Sequence, residues 1–132
     1  MKIGVVISSN DVETSWNALR YANFCLSQKD EVKIFFMGKG VEYQKISTDK
    51  FNTVQQAEKF MKDGGAILAC GSCIKSREQE ESEIRASTQS GPEDALIPVR
   101  ATRNIAETEM CPISTMKDMY DITKESDKLV TF

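Results

Sequence analysis

Histidine is absent from all 132 residues. That absence excludes Ser-His-Asp and Cys-His catalysis, histidine metal ligation and the usual neutral-pH proton shuttle. Long apolar runs are missing too. Ile3 to Ile7 and Ala66 to Cys70 are the longest, far short of the roughly 18 residues that a membrane span requires. The run after Met1-Lys2 gives way to Ser8-Ser9-Asn10-Asp11 before it reaches the roughly 7 residues of the shortest signal-peptide core. A cytoplasmic protein without a membrane span is the expectation. Positive charge is not in excess either: 17 Lys and Arg against 20 Asp and Glu leave −3, so the broad basic footprint of a nucleic-acid binder is missing.

What is present describes one folded domain over residues 1–132. Hydrophobic residues at 40% and charged residues at 28% match a globular average and exclude a disordered chain. Lys2 to Ser8 is rich in Ile and Val and reads as a strand buried on both faces. After the polar loop Ser9 to Glu13, the periodicity predicts a helix over about 14–28, packing through Ser15, Ala18, Leu19, Ala22, Cys25 and Leu26. Val32 to Met37 is a second strand, and Gly38-Lys39-Gly40 a turn lacking the spacing of a phosphate-binding loop. A helix from Thr53 buries Val54, Ala57, Phe60 and Met61 and stops at Gly64-Gly65.

Ala66 to Cys70 is the third strand, and Gly71 to about Glu81 reads as helix. A further helix spans Thr115 to Lys124, with Ser114 as its N-cap and Met116, Met119, Tyr120 and Thr123 on its inner side. Lys128 to Phe132 closes the chain as a strand. Trp16, Phe35, Phe36, Phe60 and Phe132 are expected in the core or in a subunit interface. Strands alternating with helices predict an α/β layer architecture on a parallel sheet. Residues 79–109, with Gly91-Pro92 and Pro98, read as a polar insertion whose acidic start is a solvated helix face.

The chemistry-bearing segment is Ala69-Cys70-Gly71-Ser72-Cys73-Ile74-Lys75-Ser76-Arg77. A strand running into C-x-x-C puts Cys70 at the carboxyl edge of the sheet, where α/β proteins gather ligands. The helix that follows favours a thiolate there, and Lys75 and Arg77 add positive charge. Gly71 allows a tight turn and a close approach by a small ligand. The competing plain reading makes both cysteines small core residues. A dithiol oxidoreductase or redox sensor using Cys70 and Cys73 is a second chemical reading. Zinc is disfavoured: only Cys25, on a core-facing helix position, and Cys111 remain as further thiol ligands. Cys111, before Pro112, reads as a buried cysteine or as a second thiol at the same sheet edge. Ser8, Ser9 and Lys39 suit a small anion, which leaves a non-catalytic binding subunit as the third reading.

Four stretches in this order resemble the DsrE/DsrF-like family, which includes the TusD-type subunits of sulfur relays. They are Lys2 to Ile7 with its following helix, Phe36-Met37-Gly38-Lys39-Gly40-Val41-Glu42, Ala69-Cys70-Gly71-Ser72-Cys73 with Arg77, and the C-terminal Ser114 to Tyr120 and Ser126 to Phe132. The resemblance implies a flavodoxin-like three-layer α/β sandwich with a mostly parallel five-stranded sheet. It also implies assembly into dimers, trimers or hexamers, and sulfane sulfur carried as a persulfide on Cys70. Sulfur would pass from a donor to a small TusA-like acceptor, without metal or organic cofactor, and Cys73 matches a second cysteine of some members. Two departures stand out: Glu78 replaces the glycine that often follows the arginine, and residues 79–109 are longer than in compact members.

Overall fold

The computed structural model describes residues 1–78 and 113–132. The interval read as an insertion, and Cys111 with it, lies outside the described residues.

Five strands form one sheet: β1 (Lys2–Ile7), β2 (Glu31–Phe36), β3 (Ala66–Cys70), β4 (Ile113–Ser114) and β5 (Lys128–Thr131). Their order is β4-β3-β2-β1-β5, and every pairing is parallel. Helix α1 (Val12–Ser27) links β1 to β2 and α2 (Thr53–Lys62) links β2 to β3. Helix α3 covers the described residues 71–78, and α4 (Met116–Glu125) leads into β5. This is an α/β sandwich of the flavodoxin-like kind, as the strand–helix alternation predicts.

Parallel neighbours require a crossover, and right-handed crossovers fix which face each helix covers. From β1 to β3 the strands step in one direction, so α1 and α2 share a face. Leu19, Ala22, Ala57 and Phe60 pack there on Val5, Ile7, Ile34, Phe36 and Ala69. The last connection returns across the sheet to place β5 beside β1, and α4 therefore lies on the opposite face. There Ile122 and Met119 meet Phe35, Leu68 and Cys70. Strand β1 is consequently buried on both faces from Ile3 to Ile7, as its unbroken apolar run predicts.

Helix starts follow local chemistry. Asp11 caps α1 by accepting from the Thr14 N–H, and Asn52 caps α2 by accepting from the Gln55 N–H. Gly64, at φ +99°, ends α2 where the glycine pair predicts a stop. Two expectations about α4 are corrected. Ser114 is the last residue of β4, and the N-cap is Thr115. The inner face is rotated as well: Ile122 is 2% exposed, whereas Met116 and Tyr120 are 56% and 59% exposed and Thr123 faces outward. The sheet, not the helix's own polarity, selects that face, because the crossover from β4 presents Met119 and Ile122 to Phe35.

Asp118 anchors the start of α4, its carboxylate accepting from the Ser114 hydroxyl at 2.5 Å and the Thr115 N–H at 3.0 Å. These bonds, the Ser114 hydroxyl first, hold its pKa below the ordinary 3.8. A folded pKa below the unfolded one contributes stability above pH 3.8, and the contribution is lost as pH falls through the folded value. Asp118→Ala is therefore expected to melt below the wild type at pH 7, the two curves converging only at pH below 3.8. Thermal melts across pH 2–7 check this, and a gap unchanged at the acid end would refute it.

Candidate active site at the carboxyl edge of the sheet

Three strand ends build the site. Strand β2 ends at Phe36, and the chain passes through Met37 into a 3-10 turn, Gly38–Glu42. Strand β3 ends at Cys70, directly before α3, while β4 places Ser114 opposite Cys70 in parallel register. Gly38 adopts φ +54°, a left-handed conformation that glycine reaches without the clash a Cβ brings.

That conformation has a consequence for the cysteines. The Gly38 N–H donates to Cys73 Sγ at 3.1 Å, joining residues 35 apart in sequence. Cys73 packs against the small cluster that Cys70 forms with Phe35 and Ile122. Cys70 is only 3% exposed and packs with Phe35 and Ile122, whereas Cys73 is half-buried. Burial, then the neighbouring Cys70 thiol, push the Cys73 thiol above its usual 9.0, while the Gly38 N–H and the Arg77 charge pull it down. Cys73 is thus a protonated thiol at neutral pH, lying against Cys70.

Arg77 holds the two segments together. Its Nε donates to Glu42 Oε2 at 3.1 Å and its Nη1 donates to the Cys73 carbonyl at 3.1 Å. Both side chains of the ion pair are 20% exposed. The guanidinium therefore braces the 3-10 turn against α3, which keeps the Gly38 amide over Cys73. Lys75 is exposed. Gly71 is the first helical residue and has no left-handed backbone. Its smallness serves contact instead, since a Cβ there would lie 2.7 Å from Ile113 Cγ2.

The remaining predicted site residues surround this centre unevenly. Ser8 donates its N–H and its hydroxyl to the Phe132 carbonyl at 2.9 and 3.2 Å, tying the end of β1 to the last residue. Ser9 accepts from the Asp11 N–H, and its carbonyl accepts from the Ser15 hydroxyl, which shapes the entry to α1. Lys39 is exposed on the 3-10 turn, between Gly38 and the buried Gly40. Cys25 is 5% exposed inside α1, as its helix position predicts. Among the described residues, no cluster of three or more His, Cys, Asp or Glu could hold a metal ion. No helix among them is long and apolar enough to cross a membrane.

Sequence reasoning did not identify the Gly38 amide, Glu42 or Tyr43 as parts of this centre. Tyr43 is 2% exposed and stacks on Phe36 with centroids 4.2 Å apart, flooring the turn. A glycine pair after a strand signals an unusual backbone but not the sulfur that its amide meets. Glu42 belongs to the stretch that carries the family resemblance, but nothing in the sequence pairs it with Arg77.

Comparisons with known proteins agree with this architecture. The DsrE/DsrF-like family model matches residues 1–132. An uncharacterized protein of Methanopyrus kandleri is 28% identical over 98% of this chain and 93% of its own length. One of Methanocaldococcus jannaschii is 26% identical over the whole of both chains. Among solved structures, the ychN protein from E. coli superposes with a TM-score of 0.68 at 18% identity over the full length of both. A conserved protein of unknown function from Bacteroides thetaiotaomicron gives a TM-score of 0.59 at 14% identity over 99% of this chain and 94% of that one. At those identities the two structures are similar in fold alone.

Proposed function

The chain belongs to the DsrE/DsrF-like family, and on that premise we propose that it is a cytoplasmic sulfur carrier, taking up sulfane sulfur as a persulfide on Cys70. Family membership supports a general role in sulfur relay. The observation that carries the finer reading is the place of Cys70, which ends β3 directly before α3 with Cys73 packed against the same small cluster. Cys70 stands at the carboxyl edge of the parallel sheet, where it is placed to attack the outer sulfur of a donor persulfide. The donor leaves as a thiolate, and an acceptor thiol later takes the sulfur by the same exchange.

No metal, organic cofactor or histidine enters that scheme. At 3% exposure, Cys70 keeps the loaded sulfur beside Phe35 and Ile122, away from free thiols in solution. The half-exposed Cys73 marks the side from which donor and acceptor approach. Cys73 acts as helper, Arg77 and Gly71 as supports of the pair, and Ser8, Ser9 and Lys39 as the polar rim of the same edge. The acceptor is a small TusA-like protein. A homo-oligomer is the working form, supported by the exposure of the apolar Ile113, Met116 and Tyr120 on β4 and α4. The C-x-x-C spacing and the packing of Cys73 against the Cys70 cluster also favour a second reading, a dithiol oxidoreductase.

Intact-mass measurement after brief exposure to inorganic polysulfide tests the carrier reading. The expected result is a gain of one sulfur by the wild type and by Cys73→Ala, with none by Cys70→Ser. A Cys70→Ser chain that loads to the wild-type level would sink the assignment. A wild type that loses two hydrogens, while Cys73→Ala never gains sulfur, would establish the dithiol reading instead.

A further inference from the structure

The protonated Cys73 thiol beside Cys70 is more than carriage of a sulfur atom requires. Two residues three apart at a helix start lie about 5–6 Å apart at Cβ, and a small rotation of the chain brings such a pair to disulfide distance. Cys73 already packs against the cluster that Cys70 forms with Phe35 and Ile122. The Gly38 N–H holds Cys73 Sγ at 3.1 Å, and the Arg77 bond to the Cys73 carbonyl fixes the backbone behind it. Loading and delivery form and break bonds at Cys70 alone, so the helper role of Cys73 does not by itself call for a second sulfur oriented in this way.

We propose that the pair discharges its own cargo: Cys73 Sγ attacks Cys70 Sγ of the persulfide, and the sulfane sulfur leaves as hydrosulfide. The inference rests on the carrier reading. A Cys70 Sγ–Cys73 Sγ bond forms and the bond from Cys70 Sγ to the outer sulfur breaks. With the persulfide as its anion, the Cys73 proton ends on the departing sulfide, so charge is conserved. The outer sulfur is reduced to the sulfide level, and the two cysteine sulfurs are oxidised to a disulfide. No outside oxidant is needed. A dithiol reductant then reopens the disulfide for another cycle.

Burial gives this step a purpose. Sulfur held at Cys70 beside Phe35 and Ile122 is screened from solution thiols, so without Cys73 a cargo that met no acceptor would stay. Delivery and discharge therefore compete, and prompt transfer to an acceptor protects the chain from oxidation. The Gly38 amide matters to discharge, since it steadies charge on Cys73 Sγ as that sulfur gives up its proton.

The test is anaerobic. The full chain is loaded with polysulfide, desalted, and followed by intact mass and by trapping of released sulfide. The wild-type adduct is expected to give way to a species two hydrogens lighter than the reduced chain, with an equal amount of sulfide. Cys73→Ser and Cys73→Ala are expected to hold their adduct at least about tenfold longer, because the attacking thiol acts at high effective concentration. Peptide mapping of the wild type is expected to find Cys70 joined to Cys73, a measurement that needs no variant to fold. A wild-type adduct as durable as that of the variants overturns the proposal. So does sulfide release without a disulfide, or a disulfide made with Cys25 or Cys111. A chain that takes up no sulfur in any form fails the carrier reading itself and removes the proposal with it, a result separable from a stable wild-type adduct.

Discussion

Replacing Gly40 by alanine is expected to destabilise the fold by at least about 3 kcal/mol, in the range reserved for substitutions with a named steric cause. A Cβ at this position would sit 2.0 Å from the Ile7 carbonyl oxygen, 2.7 Å from its carbon and 3.2 Å from Ser8 Cα. All three are backbone atoms at the end of a central strand, so no side chain can swing aside. The 3-10 turn would have to lift from β1. That movement would carry the Gly38 amide off Cys73 and Glu42 off Arg77, joining lost stability to a loosened site. Gly38→Ala is the control. Its Cβ meets only the Ser8 carbonyl oxygen, at 3.9 Å, so its cost is the left-handed backbone alone, about 1–2 kcal/mol. Urea titrations of the two variants decide the matter. Equal destabilisation would mean that the turn does not lie against β1 as described.

The second large effect is expected at Phe36. Phe36→Ala removes a fully buried ring that stacks on Tyr43 and fills the space between the sheet and the turn. Burial of that size is worth about 3–5 kcal/mol on truncation to alanine, the cavity included. Tyr43 would lose its platform, although the Thr53 hydroxyl would still donate to its carbonyl. Phe24, in the same chain, is 63% exposed, and Phe24→Ser is expected to change stability by no more than about 0.5 kcal/mol. Denaturation midpoints that ranked Phe24→Ser as the worse variant would invert the assignment of core and surface.

The two substitutions bear on function because the site is built on strand ends rather than on a separate element. Cys70 ends β3, Gly38 follows β2, and Gly40 rests on the end of β1. The rigidity of three parallel strands is therefore transmitted to the distance between one amide and one sulfur. This favours thiol chemistry, in which the geometry of attack and the charge on the leaving sulfur set the rate. Residues nearer the β1–β5 side, Ser8 and Ser9, spend their hydrogen bonds within the chain.

Local pattern determined most of the fold. Apolar runs of strand length, helical spacing, and stops such as Gly64-Gly65 are properties of short windows, and they placed β1, β2, β3, α1 and α2 within a few residues. The position of C-x-x-C after β3 was equally local, because a strand end and a helix start are set by neighbouring residues. Tertiary structure alone decided the rest. Which face of α4 is buried depends on a crossover that returns beneath β3 and β2, so Ile122 replaced Met116, Tyr120 and Thr123 on the inner side. Ser114 became a strand residue because Cys70 offered it a parallel partner. The Gly38 amide on Cys73 and the Glu42 carboxylate on Arg77 each join residues 35 apart. Periodicity carries no information about such contacts, since they exist only once the sheet has brought the ends of β2 and β3 side by side.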